Sequence, residues 1–464
     1  MQMTVTEAQG IYSFFAEVSG PAEALCVAPF VILLLAIAIL PLIVPRFWEK
    51  NRNKALVSFL LGMPVAVFFL YHDWNVLART FLEYGAFISL LGALFVISGG
   101  IYIRGSFRET PFVNTVFLGI GAVLANAIGT TGASILLIRP LIRANQARRH
   151  KVHTIIFFIF IVSNCAGLLT PLGDPPLFLG FLKGVEFMWT FRLFPQFLFM
   201  IGTLLFVYFF VDRYFFRKEP KSYREFIAGE EEVLSERFGI EGRRNFIFLF
   251  LVIAVNLTAG YVLYHREGPV IFGESFGAVL SKSAQIIAFL GLAALSYYMT
   301  PRRVHERNHF EFHPINEVAV LFAGIFAAMI PALLILETQG MKFGVDNTWQ
   351  FFWLTGGLSS FLDNAPTYLT FTSLAKGTLQ LTGEGLYGLM SHPVGQHYLA
   401  AISCGAVFMG ANTYIGNGPN FMIKAIAEHY KIKMPSFFGY MMWSLVVLLP
   451  LFFVVTMVFF MGGE

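Results

Sequence analysis

Two aspartates stand inside apolar sequence, and both sit where a helix would break. Asp174 follows Thr170-Pro171-Leu172-Gly173 and precedes Pro175-Pro176, and Asp363 opens the run Asp363-Asn364-Ala365-Pro366-Thr367. A carboxyl group at membrane depth is costly and is by default a functional residue. Deprived of water it resists being charged until a cation arrives, so one group could exchange a proton for a cation. The alternative role is capping, because Asp-Pro and Asp-Asn sequences start helices well. Side-chain oxygens gather around the same breaks. The candidate cation and proton ligands are Asp174, Asp363, Asn364, Thr367, Asn126 and Thr170, with Na⁺ placed at Asp174 and Asp363. Thr130, Thr131, Ser163, Asn164, Asn412, Thr413 and Asn417 form a second rank. Singly, each asparagine or threonine could instead satisfy loop backbone.

The elements that must position these residues follow from composition. Hydrophobic residues make up 56% of 464 positions and charged residues 13%. One soluble core cannot hide that much apolar surface, so lipid must be the solvent. A bilayer core takes roughly 20 apolar residues per helix. Stretches of that length predict spans at 22–45, 55–71, 81–103, 152–184, 190–215, 244–264, 281–299, 315–335, 396–430 and 436–461. Two further stretches, 111–142 and 349–372, are interrupted by Asn126–Gly132 and by Asp363–Thr367. Most basic residues, 25 of the 32 Lys+Arg, fall in Arg46–Lys54, Arg104–Arg108, Arg139–Lys151, Arg213–Arg244, Arg302–Arg307 and Lys424–Lys433. They share one side only if both interrupted stretches are re-entrant hairpins, 111–142 from the cytoplasm and 349–372 from outside. The expectation is an all-α polytopic membrane protein of ten spans and two hairpins, with both termini outside.

That layout implies two halves of opposite orientation. Residues 1–215 form the first repeat, with a hairpin at 111–142 and a broken span at 152–184. A cytoplasmic linker covers 216–243. Residues 244–464 form the second repeat, with a hairpin at 349–372 and a broken span at 396–430. Leu124-Ala125-Asn126-Ala127 echoes Leu362-Asp363-Asn364-Ala365, and Thr170–Pro176 echoes Thr413–Pro419 at an offset of 243. An inverted repeat of this kind places a transport site at the repeat interface near the midplane. Broken backbone at that depth persists only where protein or a wet cavity satisfies it.

Other features exclude other classes. A formal charge of +4, with its basic residues in short loops, gives no nucleic-acid signal. The chain has no nucleotide-binding loop, so ATP is not the driver, and no cofactor beyond coupling Na⁺ and H⁺ is expected. Cys26, Cys165 and Cys404 lie in apolar stretches without metal-ligand spacing and read as packing residues. The N-terminus lacks the basic start of a cleaved signal peptide. Glu317 reads as a helix N-terminal charge. His305, His309 and His313 have a metal-like spacing of four, but Pro314 and the flanking loop argue for coincidence. The 53 phenylalanines suit lipid-facing and core positions. An intramembrane aspartyl protease is disfavoured because both aspartates sit in breaks rather than in intact helices.

At the breaks the chain resembles the ion transporter superfamily, which includes NhaD-type sodium/proton antiporters, arsenite permeases and citrate or dicarboxylate transporters. Ser163-Asn164-Cys165-Ala166-Gly167-Leu168-Leu169-Thr170-Pro171-Leu172-Gly173-Asp174 is similar to the Ser-Asn-x-x-Gly-x-x-Ser-Pro-Ile-Gly-Asp stretch of the NhaD branch. Ser360–Thr367 is similar to that branch's Asp-Asn-x-Pro segment, and a citrate-transport branch looks similar over the whole length. The hairpin tips depart from the Ser-Asn-Thr motifs of dicarboxylate members. The resemblance implies a scaffold that dimerises and a hairpin-bearing transport domain that moves like an elevator. The leading expectation is secondary active Na⁺ (or Li⁺)/H⁺ antiport, with Na⁺- or H⁺-coupled citrate or dicarboxylate transport as the alternative. The expected partners are the lipid bilayer, a small ion or carboxylate substrate and a second copy in a homodimer, with no nucleic acid. The expected location is a bacterial inner membrane.

Overall fold

The computed structural model of the protein describes residues 13–48, 50–104, 110–220, 239–308, 310–381 and 385–461. Most of the linker expected at 216–243, His309 and both chain ends lie outside these residues. Among them, eight helices are long and apolar enough to cross a membrane, and the pair His313–Ala328 and Ile330–Phe343 bends by 43° to give a ninth segment. Large apolar side chains such as Phe206, Phe250, Ile287, Phe438 and Val446 face outward. That arrangement suits a lipid solvent and would be a liability in water. A short antiparallel pair of strands, Tyr102–Arg104 with Gly239–Glu241, is a non-helical element that the all-α expectation left out.

Capping residues set the start of several helices. The span expected from 81 begins at Trp74, because Asp73 accepts hydrogen bonds from the amides of Asn75 and Val76. Thr110 and Ser275 cap Pro111–Ala144 and Phe276–Met299 in the same way. The span expected at 315–335 is a bent pair instead, broken between Ala328 and Ile330 just before Pro331.

Pro111–Ala144 is a folded-back pair of helices. Asn114 and Asn145 exchange amide hydrogen bonds of 2.9 and 3.0 Å. In one straight helix their 31-residue separation would be about 46 Å. The turn lies at Gly129, whose φ of 76° and ψ of 154° are open only to glycine. Segment 348–378 folds back as well, since the Thr378 hydroxyl donates to the Val345 carbonyl at 3.2 Å. Its arms, Thr348–Ser359 and Asn364–Thr378, flank a break at 360–363.

Two broken segments fill the centre. Val152–Ile161, the 3₁₀ turn Cys165–Leu168 and Pro175–Leu182 make the first. Gly395–Met409, the 3₁₀ turn Gly410–Asn412 and Gly418–His429 make the second. Val152 and Gly395, and Pro175 and Gly418, are each 243 positions apart, so the half-helices start in register. Every residue from His153 to Ile161 is buried, as expected of a helix that is apolar all round.

The helices form two packing groups. Trp74–Gly99 lies along Phe276–Met299, and Asn51–His72 along His313–Ala328. At that second crossing a Cβ on Gly62 would sit 3.1 Å from Gly324 Cα, the close approach that small residues give membrane helices. The folded-back pairs and broken segments pack with one another, with Phe194–Arg217 and with Phe437–Val455, and they meet the first group along Trp74–Gly99 and along Ile330–Gln339, the continuation of His313–Ala328.

Candidate functional site

The breaks create the site, and glycine permits them. A Cβ on Gly173 would overlap the Gly167 carbonyl, and a Cβ on Gly416 would overlap that of Gly410. Each broken segment thus closes on itself through two glycines six residues apart. Each is then pinned to a folded-back pair by a threonine. Thr170 Oγ1 donates to the Asn126 carbonyl at 2.5 Å, and Thr413 Oγ1 donates to the Ser360 carbonyl at 2.5 Å. These equivalent bonds pair Asn126 with Ser360. The sequence echo, which pairs Asn126 with Asn364, is therefore misregistered by four residues, one helical turn. In the structural register Thr130 corresponds to Asn364.

Those two residues meet at Asp174. Thr130 Oγ1 donates to Asp174 Oδ1 at 2.7 Å, and Asn364 Nδ2 donates to Asp174 Oδ2 at 2.5 Å. Asn417, which stands at Asp174's position in the other broken segment, reaches Oδ1 at 3.4 Å. All four breaks thus converge on one carboxylate that is 1% exposed. Asp174 makes no side-chain bond to its own helix amides, so capping is not its role. None of its three bonded side chains carries a charge.

Asp363 is placed otherwise. It is half-buried, and its Oδ1 accepts from the Ala365 amide at 3.1 Å, which is a cap. Thr367 returns its hydroxyl to the Asp363 carbonyl at 2.9 Å and does not enter the junction. Asn126 and Thr170 brace the backbone, with Asn126 Oδ1 accepting from the Leu169 amide. Thr131 lies half-buried at the start of its helical arm. Ser163 pairs with Ser134 at 2.7 Å. Asn412 donates to Ser360 Oγ at 2.9 Å. Of the thirteen expected residues, Asp174, Asn364, Thr130 and Asn417 come together as bonded partners.

Asn164 stands one step behind them, and its chief partner escaped the sequence reading. Asn420 Nδ2 donates to the carbonyls of Gly410 and Thr413, each at 2.9 Å, closing the second break. Its Oδ1 accepts from Asn164 Nδ2 at 2.6 Å, and Asn164 Oδ1 accepts from Asn417 Nδ2 at 3.2 Å. The only sequence signal was an amide one turn after Asn417. Arg148 does lie in the basic loop after Pro111–Ala144, but its burial escaped the sequence reading too. It is buried on Asp212 at 2.5 Å, beside His153 and Asn114, at the base of the first folded-back pair. Glu317 pairs with Lys54 at 2.6 Å. His305 sits among Tyr297 and Phe310 rings, where burial holds its imidazole below the ordinary range.

The Asp174 carboxylate and the Thr130 hydroxyl are hard oxygen donors, whereas Asn364 turns its Nδ2 to the carboxylate and its oxygen away. Asn364 Oδ1 is fully buried and has no hydrogen-bond partner among the described residues, an orphaned acceptor that calls for a donor or an ion. No group of three His, Cys, Asp or Glu that could hold a metal occurs among the described residues.

No curated protein matches the chain. The family described as "putative citrate transport" matches residues 21–460, and with its apolar helices this integral membrane protein belongs to that family of secondary transporters.

Proposed function

We propose that the protein is a cation-coupled transporter of citrate or a similar carboxylate, in which Asp174 holds the coupling cation or proton. The carrying observation is the junction itself, one buried carboxylate held by uncharged donors from the other three breaks. The family match supplies the carboxylate class. The register of 243 between the broken segments supports a repeat, and the division of basic residues favours an inverted one, with segment 111–144 re-entrant from the cytoplasm and 348–378 from outside. Movement of the hairpin-bearing group against the other helices would give alternating access. No lysine or arginine lies at either hairpin tip, so the half-helix N-termini and the bound cation would receive the substrate's negative charge.

The same lack of basic residues favours a second reading, Na⁺/H⁺ antiport without an organic substrate, since anion sites usually provide a charged or bidentate partner. Proteoliposomes with labelled citrate outside and a pH dye inside separate the two. Citrate accumulation driven by an imposed Na⁺ or proton gradient supports the first reading. Proton release on adding Na⁺ alone, with no citrate uptake under any gradient, establishes the second.

A further inference from the structure

Away from the junction, ion pairs cross the seam between the two packing groups. Glu83, on Trp74–Gly99, meets Lys183, the residue that ends the half-helix Pro175–Leu182, at 2.9 Å. Lys282, on Phe276–Met299, approaches Glu83 at 3.4 Å and Glu274 at 2.6 Å. Glu337, on Ile330–Gln339, faces Lys376 in the last turn of Asn364–Thr378 at 3.4 Å, and Ser373 donates to the same carboxylate at 3.3 Å. Glu83, Lys282 and Lys376 are all buried. Both sets, with Arg79, line one polar cavity of about 190 Å³.

The placement of the lysines is what gives these pairs a purpose. Lys183 ends the half-helix that Asp174 starts, and Lys376 closes the half-helix that Asn364 starts. Each rigid rod has the junction at its N-terminal end and a seam lysine at its C-terminal end. A buried pair adds little to stability relative to apolar packing, yet parting it strands charge in a poor solvent. Pairs that cross a sliding seam therefore penalise the slid state until water replaces the lost partner, and the cavity lies where that water would enter.

We propose that Glu83–Lys183 and Glu337–Lys376 form a two-point latch that holds the junction-bearing group in the conformation seen here and opens in every cycle. The proposal rests on the alternating-access reading above. Its test uses the full chain with its three native cysteines replaced, carrying Glu83→Cys and Lys183→Cys and treated with a short reducible bifunctional thiol reagent. Cross-link yield is read on denaturing gels, so it stands whatever solute is moved, and failure of citrate uptake in the parent protein would count against the substrate alone. The latch predicts a high yield, transport blocked by the link and recovered on reduction. Adding Lys376→Gln should lower the yield several-fold, because the second point no longer holds the seam closed. Glu337→Lys with Lys376→Glu should restore it, provided the protein stays monodisperse. Cross-linked protein that transports at the unlinked rate, or a yield indifferent to Lys376→Gln, would overturn the latch.

Discussion

Asp174 depends on amides that never touch it. Asn417 donates to the carboxylate, Asn164 accepts from Asn417, and Asn420 accepts from Asn164 while holding two carbonyls of the second break. Asn420→Ala should leave Asn164 Nδ2 and the Gly410 and Thr413 carbonyls short of partners, at about 1–3 kcal/mol for each unsatisfied group. The expected outcome is a lower thermal unfolding midpoint in detergent and a weaker apparent affinity for the coupling cation, while Asn420→Asp, which cannot donate to the carbonyls, should be no better. Hydropathy and spacing made the depth of Asp174 and Asp363 legible but not their different roles. Depth is a property of the segment, whereas the role depends on which way the side chain leaves the break. Asp174 turns away from its helix, and Asp363 turns back to cap its own.

Among the elements, the two folded-back pairs were legible because polar and helix-breaking residues interrupt their apolar runs and the chain's basic segments share one side only if both runs turn back. Their register was not. The Leu-x-Asn-Ala echo is a likeness of letters, and the Thr170 and Thr413 bonds to backbone carbonyls fix a pairing shifted by one turn. The base of the first pair was also hidden, because Arg148 looks like a loop charge until Asp212, 64 positions on, is seen to bury it. The turn itself is exacting. Gly129→Ala would force a side chain into a backbone region that costs about 1–3 kcal/mol, with its Cβ 3.2 Å from the Leu172 carbonyl. Thermal unfolding of that variant should show the loss, whereas Gly202→Ala, where the added carbon meets nothing within 4 Å, should not.

For the whole molecule, the membrane class follows from composition, while the number of spans does not. A 34-residue apolar helix passes as a span by length and composition, and the Gly129 turn with the Asn114–Asn145 bonds shows that it doubles back. Sidedness can be read chemically. Cysteines introduced at exposed Gln146 and Ser391 should react with impermeant thiol reagents from the inside and the outside respectively, and reaction of both from one side would remove the inverted repeat. The central claim is that the single charge at the junction couples the driving ion to the solute. It is tested most directly by Asp174→Asn in proteoliposomes, comparing gradient-driven citrate accumulation with citrate–citrate exchange at equal concentrations. The variant is expected still to exchange citrate but not to concentrate it when either a Na⁺ or a proton gradient is imposed. Concentrative uptake equal to that of the parent protein would contradict it.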